Sequence, residues 1–178
     1  PIPKTIRKTV GTTALADKKA EAFLRERGIT ADDLVIGVGV TAGTPIKEWG
    51  VEKWASLATE LVKKHQAKLI YIGGPSDKEK VQEILERTQG EGIDTSGQFS
   101  LEELPSLMQC FDLFVAADIG PIHIADALCV PLVDIEGPVD PKEQGPLGPR
   151  NILVTPPGNI KPTIFAFRPP GDPALSRQ

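Results

Sequence analysis

Only two cysteines and two histidines occur in the 178 residues of this chain. Cys110 and Cys129 sit in apolar contexts without C-x-x-C or other metal spacing, which excludes a disulfide framework and predicts buried thiols in a reducing compartment. His65 and His123 are too far apart in sequence to suggest a zinc set. No apolar run reaches membrane-spanning length, and no signal-peptide pattern is present. Positive charge is not in excess either. The net charge of −4 argues against a general nucleic-acid surface, though it leaves room for a local basic pocket. No G-x-S-x-G elbow supplies a hydrolase nucleophile, and Gly43 is not followed by the Lys-Ser/Thr of a Walker loop.

What is there is ordinary globular composition, 40% apolar and 25% charged, in a length that suits one domain with a real core. The chain begins at Pro1 rather than Met, which suggests a piece of something longer. Short apolar runs recur at Leu34–Val40, Lys68–Ile72, Leu113–Ala116, Leu132–Ile135 and Ile152–Val154. Helical patterns lie between them. In VEKWASLATELVKKH, Trp54, Leu57, Ala58 and Leu61 share one face, and lysines close the last turn. Ser76 with Glu79, and Ser100 with Glu103, have capping-box spacing. A short helix is expected from Pro121 to Leu128, with proline at its first position. Another spans 17–28 and ends at Gly28. Strands alternating with helices predict an α/β fold, a Rossmann-like three-layer parallel sheet over residues 33–155. Residues 1–13 and the tail from Pro156 are Pro/Gly-rich and read as irregular.

In open parallel sheets ligands bind beyond the carboxyl ends of the strands. The loops there are TAGTPIKEWG, GGPSD, ADIGPIH and EGPVDP. Glycines allow close backbone approach, a helix N-terminus offers N–H groups to an anion, Lys47 adds a point charge, and carboxylates suit sugar hydroxyls. Taken together they read as a nucleotide or nucleotide-sugar site. Each residue also has a plainer reading. The glycines can be turn punctuation, Lys47 a solvated lysine, Asp118 a cap for the helix at Pro121, and His123 a structural histidine; His65 reads as structural. GVGVTA fits G-x-G-x-x-G/A by letter but opens no helix, and the second strand ends in Gly73-Gly74-Pro75 without a ribose-binding acid, so a dinucleotide reading is weak.

The segment DLFVAADIGPIHIADALCVPLVDIEGPVDPKEQGPLGPR resembles the nucleotide-binding half of glycosyltransferase family 9, the ADP-heptose:lipopolysaccharide heptosyltransferases. KEWGVEKWASLATEL, IGGPSDKE and SGQFSLEELPSLMQCFDLFV resemble further segments of that family in order and spacing. The resemblance covers about residues 33–155. It implies one half of a GT-B fold: a C-terminal nucleotide-sugar-binding domain over 31–178, preceded by an interdomain linker and helix over 1–30. It implies that Lys47 holds the diphosphate, Asp77 sits near the ribose, Phe99 lies against the adenine and Asp118 accepts from sugar hydroxyls. Gly120 would face the diphosphate and His123 would support the phosphate or sugar. The reaction implied is glycosyl transfer in lipopolysaccharide core or related glycan synthesis, with ADP-heptose or another nucleotide-sugar as donor. The catalytic base and the glycolipid or glycan acceptor would belong to an N-terminal domain, and neither metal nor cofactor is required. Nucleic acid is not an expected partner. The implied location is cytoplasmic, with the inner face of the bacterial inner membrane as a peripheral docking place for the full-length protein. The alternatives are a non-catalytic nucleotide- or sugar-binding module and a GT-B relative such as a UDP-sugar epimerase. Departures from the family pattern are Ile119 for Ser/Thr, Val139 for Thr, Gly50 for Pro, Cys129 for Gly, and the acids Asp134 and Glu136 on a strand otherwise apolar.

Overall fold

The computed structural model describes residues 8–44, 47–137 and 145–155. The Gly-Pro-Val-Asp-Pro turn beyond Gly137, with Val139, and the tail from Pro156 lie outside the described residues. The elements, in order, are α1 (Ala14–Glu26), β1 (Val35–Gly39), α2 (Val51–His65), β2 (Lys68–Ile72), a 3₁₀ turn (Pro75–Asp77), α3 (Lys78–Arg87), β3 (Ile93–Asp94), α4 (Leu104–Met108), β4 (Leu113–Ala117), α5 (Pro121–Leu128), β5 (Leu132–Ile135) and β6 (Asn151–Val154). The six strands form one sheet in the order β3-β2-β1-β4-β5-β6, and every pairing is parallel. The expected three-layer Rossmann-like fold is the fold observed.

A parallel sheet must be covered on both faces, so its central strands are apolar throughout. All five residues of β1 are buried. Residues of one parity, among them Val35, Ile70, Ile72, Phe114 and Leu132, pack under α1, α4 and α5 through Phe23, Leu107, Met108 and Ile122. Residues of the other parity, among them Ile36, Val38, Leu69, Tyr71 and Val115, pack under α2 and α3 through Trp54, Ala58, Val81 and Ile84. The glycines of GVGVTA serve this packing. A Cβ on Gly37 would stand 2.2 Å from the Phe111 ring, and one on Gly39 would stand 2.5 Å from Ile119 Cδ1. Gly39 thus leaves room for the isoleucine at position 119, whose side chain packs against the first core.

Some local readings change. Glu103 and Ser100 do form a reciprocal capping box: Ser100 N–H donates to Glu103 Oε2 (2.9 Å) and Glu103 N–H to Ser100 Oγ (3.3 Å). Ser76 and Glu79 do not. There Asp77 closes the turn instead, with Gly74 N–H donating to its Oδ2 at 2.7 Å, because the 3₁₀ turn puts Asp77 at the helix start. α1 begins earlier than expected, at Ala14, where Thr13 Oγ1 accepts from Ala16 N–H (3.2 Å). β3, two residues long, is too short to leave a periodic signal. Gly50 has φ +93, which a proline ring, fixed near −65°, forbids. The cysteines are free, as expected, but neither is fully buried: Cys110 is half-buried and Cys129 is exposed. Cys129 departs furthest from the expectation. It sits past the end of α5 in the left-handed region (φ +59), where its side chain is carried off the core. An L-residue there costs about 1–2 kcal/mol that glycine does not. Cys129→Gly should therefore stabilise the domain by roughly 1 kcal/mol, read as a higher denaturant midpoint with unchanged slope.

Candidate functional site

In a sheet of this order the chain leaves β1 toward one side and β4 toward the other, so a crevice opens beyond their carboxyl ends. The β1–α2 loop and the β4–α5 loop face each other across that point. Lys47 comes from the first and Asp118 from the second. Lys47 Nζ donates to Asp118 Oδ2 at 2.5 Å, and both side chains are nearly buried. Asp118 is not a helix cap, since α5 starts without any side-chain cap. Lys47 is not a solvated surface lysine, being 7% exposed.

A cleft of about 980 Å³ lies alongside, walled by the residues after β1, β2, β3 and β4. Its polar lining includes Thr41, Ser76, Asp77, Thr95, Gln98 and Ser100; its apolar lining includes Ile72, Phe99, Leu101, Leu104, Ile119 and Pro121. Of the sequence-predicted residues, Asp77 and Phe99 line it. Lys47, Asp118, Gly120 and His123 do not, although Gly43, Ile119 and Pro121 beside them do. Asp77 is partly committed, with Oδ2 taken by Gly74 N–H and Oδ1 by the Ser76 hydroxyl at 3.4 Å. Phe99 packs edge-on to Phe23 at 5.2 Å between centroids. Lys19 of α1 lies over the same ring at 4.8 Å and donates to Gln98 O and Glu103 Oε2. The helix ahead of β1 thereby props the wall of the cleft. Gly120 is the exposed first residue before α5, and the next two N–H groups, of Ile122 and His123, already donate to Ile119 O and Gly120 O. His123 receives a hydrogen bond at Nδ1 from Lys8 Nζ, 2.7 Å away. Burial, and then Lys8, push its pKa below the ordinary imidazole value, while Asp126 and Asp118 pull the other way.

The sequence reading named Phe99 and Ser100 but missed the rest of their wall. Thr95–Leu101 follows the two-residue β3, whose only signal is the pair of glycines, Gly92 and Gly97, flanking it. Asp134 of β5 and Glu136 just past its end were read only as departures. Asp134 is wholly buried and Glu136 is 3% exposed. Burial first, then the Glu136 and Asp118 carboxyls, raise the Asp134 pKa to about 8, with Lys47 opposing them. Lys47 thus pairs with Asp118 and opposes the burial of Asp134 as well. Among the described residues no group of histidines, cysteines and acids is arranged to hold a metal ion. No helix among them is long and apolar enough to cross a membrane.

These contacts set the outcome of substitutions. Removing Lys47 takes away the cation that pairs with Asp118 and opposes Asp134, so Lys47→Ala should cost about 3–5 kcal/mol of stability at neutral pH. Asp118→Ala should cost distinctly less, because Lys47 keeps Asp134 nearby; equal losses in chemical denaturation would contradict the arrangement. Asp134 binds its proton more tightly folded than unfolded. Its contribution is therefore neutral below about pH 4, where both states are protonated, and becomes increasingly unfavourable as pH rises toward 8. Asp134→Asn should flatten that decline and stabilise the protein by about 1–3 kcal/mol at pH 8, measured as denaturation midpoints across pH.

The chain resembles known proteins over most of its length. The family model described as glycosyltransferase family 9 (heptosyltransferase) matches residues 4–163. No curated protein matches the chain in sequence. Among solved structures, the glycosyl transferase family 9 from Veillonella parvula DSM 2008 is 28% identical, with a TM-score of 0.79 over 83% of this chain and 42% of that one. E. coli ADP-heptose lps heptosyltransferase II is 21% identical, with a TM-score of 0.74 over 93% and 54%. E. coli heptosyltransferase WaaC with ADP is 21% identical, with a TM-score of 0.65 over 93% and 50%. The two E. coli likenesses are likenesses of fold, and the chain spans about half the length of all three. Matched over most of its residues, the chain belongs to glycosyltransferase family 9 (heptosyltransferase).

Proposed function

We propose that this chain is the donor-binding half of a GT-B glycosyltransferase, taking a nucleotide-sugar such as ADP-heptose for lipopolysaccharide core or related glycan synthesis. The observation that carries the reading is the cleft of about 980 Å³ at the sheet's switch point, with the Lys47–Asp118 pair beside it. Its size is at the upper end of small-molecule sites, about 300–1,000 Å³. The mixed lining suits a nucleotide. Phe99, Leu101 and Leu104 offer apolar surface for a base, and Asp77 and Ser76 offer polar groups for a ribose.

The ion pair has a place in the chemistry. A diphosphate would draw Lys47 away from Asp118, and the freed carboxylate would then accept from hydroxyls of the sugar. One buried pair would be exchanged for two ligand contacts. Lys47 would stabilise charge growing on the departing diphosphate as the glycosyl bond breaks, which is electrostatic catalysis without a metal. Thr41 also offers a hydroxyl to the cleft, where Ile119 has none. The acceptor, a glycolipid or glycan, and the base that deprotonates it would come from a second domain. That the E. coli relatives are named for ADP-heptose and solved with ADP supports adenine as the base.

A second reading is a binding module that has lost transfer. The apolar Ile119 at the diphosphate corner, packed into the space that Gly39 leaves, favours it. Calorimetric titration of this chain with ADP, UDP and ADP-heptose tests the proposal. ADP and ADP-heptose should bind with submillimolar Kd and UDP more weakly. Failure of ADP and ADP-heptose to bind at millimolar concentration, with circular dichroism showing a folded chain, would sink the donor-site reading. Preference for UDP would turn it toward a UDP-sugar enzyme.

A further inference from the structure

Lys8 precedes α1 and lies 115 positions from the histidine it contacts, a separation that leaves the contact wholly to the fold. Its ammonium sits 2.7 Å from His123 Nδ1 and 3.7 Å from Asp126 Oδ2. Asp126 is itself fixed. Its carboxylate accepts from Leu147 N–H (2.9 Å), Gly148 N–H (2.8 Å) and Asn151 Nδ2 (2.9 Å), so it anchors the ammonium on a rigid acceptor one turn along α5. The charged groups around the ring are Lys8 from the N-terminal segment, Asp126 from α5 itself and Asp118 from the β4–α5 loop.

An ammonium has three N–H groups and no lone pair. In a contact of 2.7 Å it must donate, and Nδ1 must accept. An imidazolium has no lone pair at Nδ1 and would set two cations against each other. The contact is compatible with only one form of the ring, neutral with its proton on Nε2.

We propose that Lys8 is a positioning residue which, by donating to Nδ1, holds His123 neutral and in the Nε2–H tautomer, so that the ring offers one defined donor for a phosphate or sugar oxygen. The identity of that oxygen rests on the donor-site reading above; the state of the ring does not. The segment ahead of α1 therefore sets the chemistry of a side chain on α5, through a hydrogen bond and not through packing. Burial and the Lys8 charge both push proton binding by the ring in the direction this requires.

The chain's two histidines make the test direct. Histidine ¹⁵N and proton resonances of the ligand-free protein, followed through pH 5–8, should show His123 with an unprotonated Nδ1 and a protonated Nε2. It should titrate below the ordinary imidazole range. Lys8→Met should move the His123 titration upward and let the second tautomer appear, while Lys8→Arg, which keeps the donors, should restore the wild-type signature. A His123 that is doubly protonated at neutral pH, or one unchanged in Lys8→Met, overturns the proposal. Adding ADP then separates the two inferences. A shift of the His123 Nε2–H resonance supports both, whereas ADP binding that leaves this resonance in place refutes the ring as a ligand donor. Absence of ADP binding, with the tautomer as described, overturns the donor-site reading and leaves the role of Lys8 in fixing the ring intact.

Discussion

The buried pair of Lys47 and Asp118 joins the two loops that a doubly wound sheet sends in opposite directions. It is the contact that ties the two walls of the crevice between β1 and β4 together. Removing a single partner from a buried pair generally leaves a charge that neither water nor protein stabilises. Neither residue of the pair lines the cleft, but Gly43 and Ile119 of the same two loops do, so the pair sets the charge beside the site before any ligand arrives. Asp134 and Glu136 make that setting unusual. Burial first, and then the neighbouring Glu136 and Asp118 carboxyls, make Asp134 hold its proton more tightly than an ordinary carboxyl.

The same arrangement recurs a few residues further along the chain. Lys47 reaches Asp118 from the β1–α2 loop, and Lys8 reaches His123 from the segment before α1. Both lysines converge on the stretch between β4 and α5, where the sequence has an acid and a histidine five apart around Gly-Pro. Each fixes the protonation or orientation of a polar group that could otherwise take several states. Lys19 does a third, similar job on the opposite wall by holding the Gln98–Glu103 segment and covering Phe99. The helix and segment ahead of β1 thus hold parts of the site in position.

Much of the fold was legible because it depends on local patterns. β2, α2, α5 and β5 have the boundaries read from apolar runs, lysine-rich ends and a first-turn proline. The capping box at Ser100 and Glu103 was legible for the same reason, while the identical spacing at Ser76 and Glu79 was overridden by a 3₁₀ turn that handed the job to Asp77. β3 was invisible, since two residues have no period. The departures at Gly50 and Cys129 acquire meaning only from backbone angles, +93 and +59, that letters do not display.

By itself the sequence determined the alternation of strands and helices, the edge of the sheet where polar loops gather, and the family those loops resemble. These follow from periodicity and turn chemistry acting over a few residues. Which polar residues touch was decided only in three dimensions. Asp118 could have capped α5 or met a lysine 71 positions away, and the choice came from the switch point that brings β1 and β4 side by side. The tautomer of His123, the raised proton affinity of Asp134 and the room Gly39 leaves for Ile119 likewise come from long-range packing. Burial and close approach set them, and both are properties of the assembled layers.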